Sequence, residues 1–129
     1  MAIKRFFANK DNTITNAFKE DLTTRGTGSN MGAADIVEIF SIYGQATTTS
    51  SELSRALVEF DTAAIATART AGTIPASGSV DFYLRMYDAE HVESTPRDFT
   101  LTVAAISQSW NEGTGLDTVN YTDLGVSNW

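Results

Sequence analysis

The sequence predicts an all-β protein, an antiparallel two-sheet β-sandwich with a jelly-roll-like arrangement. Residues 54–61 and 79–87 are both strand signals, and 79–87 alternate apolar and polar side chains, which is typical of an antiparallel strand that buries one face. Gly72, Pro75 and Gly78 lie between these two segments and mark turns. Several short strands that are separated by such turn signals indicate a sandwich.

The N-terminal part is expected to contribute short strands and a surface loop. Residues 3–7 predict a short strand or arm, and residues 13–18 predict a second short strand after the turn signal at Asp11 and Asn12. Residues 23–32 are rich in Thr, Gly, Ser and Asn, so we expect a surface loop there.

The middle of the chain predicts two strands and a helical turn. The apolar residues of 35–43 do not alternate, as in a strand that is buried on both faces or covered by a partner. Residues 53–60 follow a Thr- and Ser-rich loop and predict the next strand, and the Ala-rich residues 62–70 could form a helical turn or two. The inward face of 53–60 is expected to carry Ala56, Val58 and Phe60, with Arg55 and Glu59 outward.

Two strands with clean alternation are expected at 80–87 and 99–106. Their inward faces would carry Val80, Phe82, Leu84 and Met86 in the first, and Phe99, Leu101, Val103 and Ala105 in the second. A loop around Trp110 follows, and the periodicity of the tail to Trp129 is weak.

Length and composition indicate one domain over residues 1–129, in which residues 1–10 could form an N-terminal arm. The chain has no cysteine, which excludes disulfides and cysteine-based metal sites. The net charge of -7 disfavours direct binding to nucleic acid, because phosphate contacts need a basic patch. We expect neither a signal peptide, since polar residues follow the basic N-terminus at once, nor a membrane span, since no apolar run approaches ~20 residues.

Five short motifs occur in sequence from one end of the chain to the other. They are Asp11-Asn12-Thr13-Ile14, Ser29-Asn30-Met31-Gly32, Arg55-Ala56-Leu57-Val58-Glu59-Phe60-Asp61, Phe82-Tyr83-Leu84-Arg85-Met86-Tyr87 and Trp110-Asn111-Glu112. Their order and spacing resemble the DNRLRE-type β-sandwich domain family, whose members include carbohydrate-binding modules. The chain also looks like virion structural proteins of tailed bacteriophages.

The resemblance implies a two-sheet jelly-roll-like fold that serves adhesion or assembly without catalysis. The family pattern normally continues for at least one strand beyond the Trp-x-Glu segment, whereas this sequence stops at Trp129. Either the chain is the N-terminal module of a longer product, or a neighbouring subunit supplies the closing strand, since an open sheet edge invites pairing. Both alternatives favour an assembly role.

Residue types that support catalysis are sparse. His91, the only histidine, lies between acidic residues and could act as a general base or metal ligand, although an exposed loop histidine is the stronger interpretation. Two carboxylate pairs, Glu59 with Asp61 and Glu20 with Asp21, are weak indications of glycoside hydrolysis. No Gly-x-Ser-x-Gly elbow is present, so we expect a protein that is not an enzyme.

A structural calcium ion is the only cofactor that the sequence suggests. Asp11, Asn12 and Asn30 carry the hard oxygen ligands that Ca²⁺ accepts. Asx residues in turns more often bond to their own backbone, and we favour that interpretation over a metal site.

Two sets of residues are candidates for binding. On the predicted register Tyr83, Arg85 and Tyr87 lie on the outward face of one strand, with the two tyrosines ~13 Å apart. They could stack on a glycan or lie under another subunit, since Tyr and Arg are enriched at interfaces, and we favour the subunit. In the arm, Ile3, Arg5, Phe6 and Phe7 could add to the edge of a neighbour's sheet.

The sequence therefore predicts a non-enzymatic virion structural protein that is made in the host cytoplasm. It would act in head, neck or tail attachment, at a fibre base, or as a decoration protein. Its partners would be other virion proteins and copies of itself, without direct contact to nucleic acid or membrane. The alternative is a carbohydrate-binding module or receptor-binding adhesion domain.

Overall fold

The computed structural model describes residues 3–76, 78–90, 98–118 and 126–129. Within these ranges the regular elements are strand β1 (Ala8–Thr15), strand β2 (Ser41–Tyr43), strand β3 (Ser51–Phe60) and helix α1 (Thr62–Thr70). The three strands form one antiparallel sheet in the order β1-β3-β2.

Strand β3 lies at the centre of the sheet because it pairs along both edges. Thr13 of β1 lies opposite Ala56, and Ile42 of β2 lies opposite Glu52. At the start of β1 the register shifts by one residue between Ala8 and Lys10, which is a bulge. Burial alternates over positions 51–56 of β3, where the even-numbered residues are the covered ones, whereas residues 57–60 are all half-buried. The expected separation of inward Val58 and Phe60 from outward Glu59 is therefore not seen.

A tight hairpin loop connects β2 to β3. Gly44 has a positive φ of 77°, which a residue without a Cβ adopts without strain. Its N–H donates to the carbonyl of Ser50 at 2.8 Å, and the Ser50 hydroxyl oxygen accepts from the N–H groups of Ala46 and Thr47. The loop therefore closes on its own polar groups, as its Ser and Thr content predicts.

Helix α1 confirms the helical turn that was expected at 62–70. Asp61 caps its N-terminus, since the carboxylate accepts from the N–H groups of Ala63 and Ala64 at 2.8 and 3.2 Å. Arg69 lies in the last turn, where a positive charge complements the helix dipole. Gly72 follows with a φ of 69° and ends the helical path.

The buried part of the molecule is small and largely polar. Its apolar members in the described residues are Ile14, Ala17, Met31, Ala68 and Ile74. The polar and charged residues that are equally buried are Asn12, Thr13, Thr15, Ser29, Asn30, Ser50 and Glu52. Hydrogen bonds must therefore specify this interior as much as apolar packing does.

The prediction of a two-sheet β-sandwich is wrong: the described residues contain one three-stranded sheet and one short helix. The segments 80–87 and 99–106 lie outside any strand, and the residues expected to point inward, such as Phe82 and Val103, are exposed. Alternation predicts which residues share a face, but a strand also requires a neighbour that completes its backbone hydrogen bonds.

Strand boundaries also differ from the prediction at the N-terminal side. Residues 3–7 lie outside any strand, β1 spans Ala8–Thr15 rather than 13–18, and only Ser41–Tyr43 of the run 35–43 is a strand. Side-chain hydroxyl groups explain why most of the run 35–43 is not a strand. The Thr13 hydroxyl accepts from the N–H of Glu38 at 2.8 Å, and the Ser54 hydroxyl accepts from the N–H of Phe40 at 2.7 Å, in place of ladder carbonyls.

Across the part of the chain that the structure describes, no helix is long and apolar enough to cross a membrane.

Candidate functional site

Buried asparagines join the N-terminal strand to the loop that follows it. The Asn12 carboxamide oxygen accepts from the N–H of Met31 at 2.9 Å. The same N–H also donates to the carbonyl of Thr13 at 3.2 Å. The Asn12 amide group reaches the other way and donates to the carbonyl of Ser127 at 3.4 Å. One fully buried side chain thus holds three separated segments of the chain together.

Asn30 makes the second connection, between that loop and the segment around Gly115. Its side-chain oxygen accepts from the N–H of Gly115 at 2.9 Å and from the N–H of Gly32 at 3.3 Å. Its Nδ2 is buried without a hydrogen-bond partner. Asn30 therefore uses its acceptor for two hydrogen bonds, while its buried donor group has no protein partner.

Glycines allow the two segments to approach this closely. A Cβ placed on Gly32 would overlap the carbonyl oxygen of Glu112, and one placed on Gly115 would overlap the backbone oxygen of Asn30. Gly113 has a φ of 85°, and a Cβ there would come within 2.5 Å of the Asn30 side chain. We call Asn12, Asn30 and these three glycines the asparagine clasp.

The clasp brings together three of the five sequence motifs. Glu112 belongs to the Trp-x-Glu motif and accepts from the N–H of Asp11 at 2.9 Å. Two tryptophans flank the sheet beside it: Trp110 lies 5.6 Å from the ammonium of Lys10, and Trp129 lies 4.0 Å from the guanidinium of Arg55. Both are cation–π distances, so the aromatic rings bind basic side chains of β1 and β3.

The geometry explains why the suggested calcium ligands do not form a single set. Asp11 and Asn12 are neighbours on β1, so their side chains leave opposite faces of the strand. Asn12 lies within β1 rather than in a turn, and its oxygen accepts from the distant N–H of Met31. The Asn30 oxygen makes the expected local bond, to the N–H of Gly32, and also accepts from the distant N–H of Gly115. Among the described residues no group of three or more His, Cys, Asp or Glu could hold a metal ion.

Tyr83 and Tyr87 lie on the surface, with 87% and 77% of their areas exposed. The Arg85 guanidinium lies 4.9 Å from the centroid of the Tyr87 ring, so these two neighbouring groups contact each other. The ring of Tyr83 has the greatest exposed fraction among the described large apolar and aromatic side chains. It is therefore accessible to a flat ligand or to another protein.

Residues 4–7 of the predicted N-terminal arm lie beside helix α1, whereas residues 8–10 belong to strand β1 in the sheet. Lys4, Arg5, Phe6 and Phe7 line one side of an open groove of about 620 Å³, and Ala64, Thr67 and Ala68 of α1 line the other. Ile3 and Phe7 remain more than four-fifths exposed. The arm presents two apolar side chains and two basic ones to the surroundings.

Three of the four carboxylates that were weighed for catalysis, Glu59, Asp61 and Asp21, have structural partners. Glu59 forms an ion pair with Lys10, with 3.2 Å between Oε2 and Nζ, and Asp61 caps helix α1. Hydrogen bonds from Thr24 and Thr23 hold the pKa of Asp21 well below its usual range. His91 lies outside the described residues.

Sequence reasoning missed the buried Glu52 and the clasp glycines. Glu52 is fully buried on β3, where its Oε2 accepts from the N–H of Phe18 at 2.8 Å and its Oε1 has no partner. Glu52 directly precedes the predicted strand 53–60, and a charged side chain is usually exposed. No local signal in the sequence therefore predicted that Glu52 is buried. No local signal predicted the clasp either, because Gly113 and Gly115 are about 80 residues from Gly32 in the sequence.

Comparison of the chain with family models, with curated proteins and with solved structures found no match.

Proposed function

We propose that this chain is a non-enzymatic structural protein that acts through subunit–subunit contacts, as a virion component of a tailed bacteriophage. The observation that carries the contact role is the exposed apolar surface of 80–87 and 99–106. The assignment to a virion is supported by the resemblance of the five motifs. Its partners would be other virion proteins and copies of itself.

The exposed residues form a pattern that a partner could cover. Phe82, Leu84 and Met86 alternate along the first segment, and Phe99, Leu101 and Val103 alternate along the second, and all six are exposed. Soluble monomers rarely expose contiguous apolar patches larger than a few hundred Å², and larger patches mark interaction sites. Burial of such residues at a contact supplies the driving force for association.

The two sets of candidate residues fit the same role. Tyr83 and Tyr87 supply large rings at the surface, and the arm supplies Phe7 beside Lys4 and Arg5. Interfaces are enriched in aromatic residues and Arg. The basic arm would also be attracted to an acidic neighbour, and the chain itself carries a net charge of -7.

The test is incorporation into particles. Mass spectrometry of purified particles from the source should find this chain, and changing both Tyr83 and Tyr87 to Ala should abolish its incorporation. Both rings are exposed, so the isolated variant should keep the circular dichroism spectrum of the parent protein. Tyr43→Ala is the matched control, because Tyr43 is 72% exposed but lies on β2, away from these segments.

Absence of the chain from particles would refute the virion assignment. Normal incorporation of the double variant would instead mean that the contact is made by a surface other than Tyr83 and Tyr87.

A carbohydrate-binding module is the second candidate, and a different groove favours it. An open groove of about 400 Å³ is lined by Trp110, Asn111 and Asn128, with Gln108 and Ser109 beside them. An aromatic ring with amide and hydroxyl groups is the composition that recognises a sugar's apolar face and its hydroxyls. Titration of tryptophan fluorescence with soluble glycans, with and without Ca²⁺, tests this candidate, and Trp110→Ala should remove any response.

A further inference from the structure

The segment with the cleanest alternation is open to a partner. Residues 81–87 are all exposed, and they include the large side chains of Phe82, Tyr83 and Leu84. A row of exposed apolar and aromatic side chains marks a surface that another chain can cover.

We propose that residues 79–87 form an antiparallel strand pair with the same segment of a second copy, with the two-fold axis at Tyr83. This inference rests on the proposed role in subunit contacts and names the partner, which is the chain itself. The homodimer has closed two-fold symmetry, so each copy supplies the same surface to the other.

The charges of the segment are self-complementary about Tyr83. Antiparallel pairing about this residue places Asp81 of each copy opposite Arg85 of the other. Opposite charges at directly facing positions stabilise an antiparallel pair, and like charges destabilise it. Both side chains are exposed and available for this contact.

The apolar face is complementary in the same register. Val80 lies opposite Met86, and Phe82 lies opposite Leu84, on both sides of the axis. The four residues of each copy are the ones that alternation places on one face. Phe82, Leu84 and Met86 are all exposed in the single chain, so pairing would bring apolar side chains of the two copies together.

Neighbouring registers lose this complementarity. An axis at Leu84 would place Asp81 opposite Tyr87 and the apolar Val80 opposite Asp88. An axis at Phe82 would place Asp81 opposite Tyr83 and leave Arg85 facing Ser79. Only the axis at Tyr83 pairs the two unlike charges, and register is strongly specified where one face of a strand is buried.

The contact between Arg85 and Tyr87 within one chain is compatible with this pairing. The two groups are 4.9 Å apart, and a guanidinium that contacts a ring with one face keeps its N–H edge for a carboxylate. Tyr87 would lie opposite Ser79, a small side chain that leaves room for the ring.

Cysteine cross-linking tests the position of the axis. In the proposed pair two residues at position 83 face each other with Cα atoms about 4.5–5.5 Å apart, which lies within the range of a disulfide. The chain has no cysteine, so Tyr83→Cys introduces a single thiol. Under mild oxidation this variant should become a disulfide-linked dimer.

Tyr87→Cys is the matched control, because it replaces another exposed tyrosine of the same segment. Two residues at position 87 would lie about 27 Å apart in the proposed pair. We expect Tyr83→Cys to cross-link at least tenfold faster than Tyr87→Cys. Equal rates for the two variants, or no cross-linking of Tyr83→Cys, would overturn the proposal. If 79–87 instead pairs with another part of its own chain, Tyr83→Cys should not cross-link, and the proposal is wrong.

Charge exchange provides an independent test. Asp81→Arg and Arg85→Asp each place like charges opposite one another, so each should weaken the dimer at least tenfold in sedimentation equilibrium at low salt. The combined variant D81R/R85D restores unlike pairs and should dimerise within about threefold of the parent protein. A combined variant that is as weak as either single variant would refute the pairing.

These experiments use the purified chain and so separate this inference from the proposed function. If particles contain the chain but Tyr83→Cys does not cross-link, the dimer is wrong and the virion role stands. If the dimer forms but particles lack the chain, the virion role is wrong and the self-pairing stands.

Discussion

Replacing Asn30 with alanine should destabilise the protein more than any exposed asparagine substitution, because it removes the acceptor at the centre of the asparagine clasp. The N–H of Gly115 is buried, and its hydrogen bond to Asn30 is 2.9 Å long. A buried donor without a partner costs about 1–3 kcal/mol. The partly buried N–H of Gly32 loses a longer bond of 3.3 Å, which contributes about 0.5–1 kcal/mol.

Asn30→Ala also removes the Nδ2 group, which is buried without a partner, and this offsets part of the loss. The free energy of unfolding should therefore fall by about 1–2 kcal/mol. Small domains are stable by only about 5–15 kcal/mol, so this is a large fraction of the total. Urea denaturation followed by tryptophan fluorescence and by circular dichroism measures the difference, and both probes should report the same midpoint. The thermal midpoint should fall by roughly 5 °C for a chain of this length.

Asn9→Ala is the control, because the exposed Asn9 side chain makes one long hydrogen bond of 3.5 Å to Glu59. Its effect should stay within about 0.5 kcal/mol. Equal free energies of unfolding for the two variants would refute the reasoning, since they would mean that the Gly115 N–H finds water when Asn30 is removed.

The remaining predictions concern a clasp glycine and an acidic loop. Gly115→Ala should cost at least about 3 kcal/mol, because its Cβ would overlap the backbone of Asn30 and strain adds to the lost hydrogen bond. Gly72→Ala, with open space around it and a φ of 69°, should cost only about 1–2 kcal/mol in urea denaturation; equal costs would contradict the steric argument. The pKa of Asp21 is lower in the folded protein than in the unfolded chain, so its stabilising contribution is complete above a pH of about 4 and is lost as the pH falls below that value. Asp21→Asn should consequently lose less stability than the parent protein between neutral and acidic pH, as judged by urea midpoints, and parallel profiles would exclude a role for Asp21.

Local signals were sufficient for β3 and α1. The apolar residues Ala56, Val58 and Phe60 predicted a strand, and that strand is the centre of the sheet, although residues 56–60 are all half-buried rather than covered on one face only. The Ala-rich run after Asp61 predicted a helical turn, and the Asp61 carboxylate caps it through two N–H groups. Both elements depend on interactions between residues that are close in sequence, so a short window of sequence contains the information.

Other features depended on contacts between distant residues. Asn30 was noted as an oxygen ligand, but its partner Gly115 is 85 positions away, and nothing in either motif predicts that the two meet. Charged side chains such as that of Glu52 are usually exposed, yet Glu52 is buried and its carboxylate accepts a hydrogen bond from the N–H of Phe18. Hydrogen-bond partners in the interior are chosen by the tertiary fold, because any buried polar group must find a partner wherever the chain brings one.

By itself the sequence determined the central strand, the capped helix, the absence of disulfide chemistry and the acidic net charge of the chain. The tertiary structure alone decided which alternating segments become strands. Segments 80–87 and 99–106 have cleaner alternation than β1, but β1 lies against β3 and they do not. Side-chain pattern is a local property, whereas a strand exists only when a second backbone completes its hydrogen bonds, and that backbone is supplied by distant residues or by another chain.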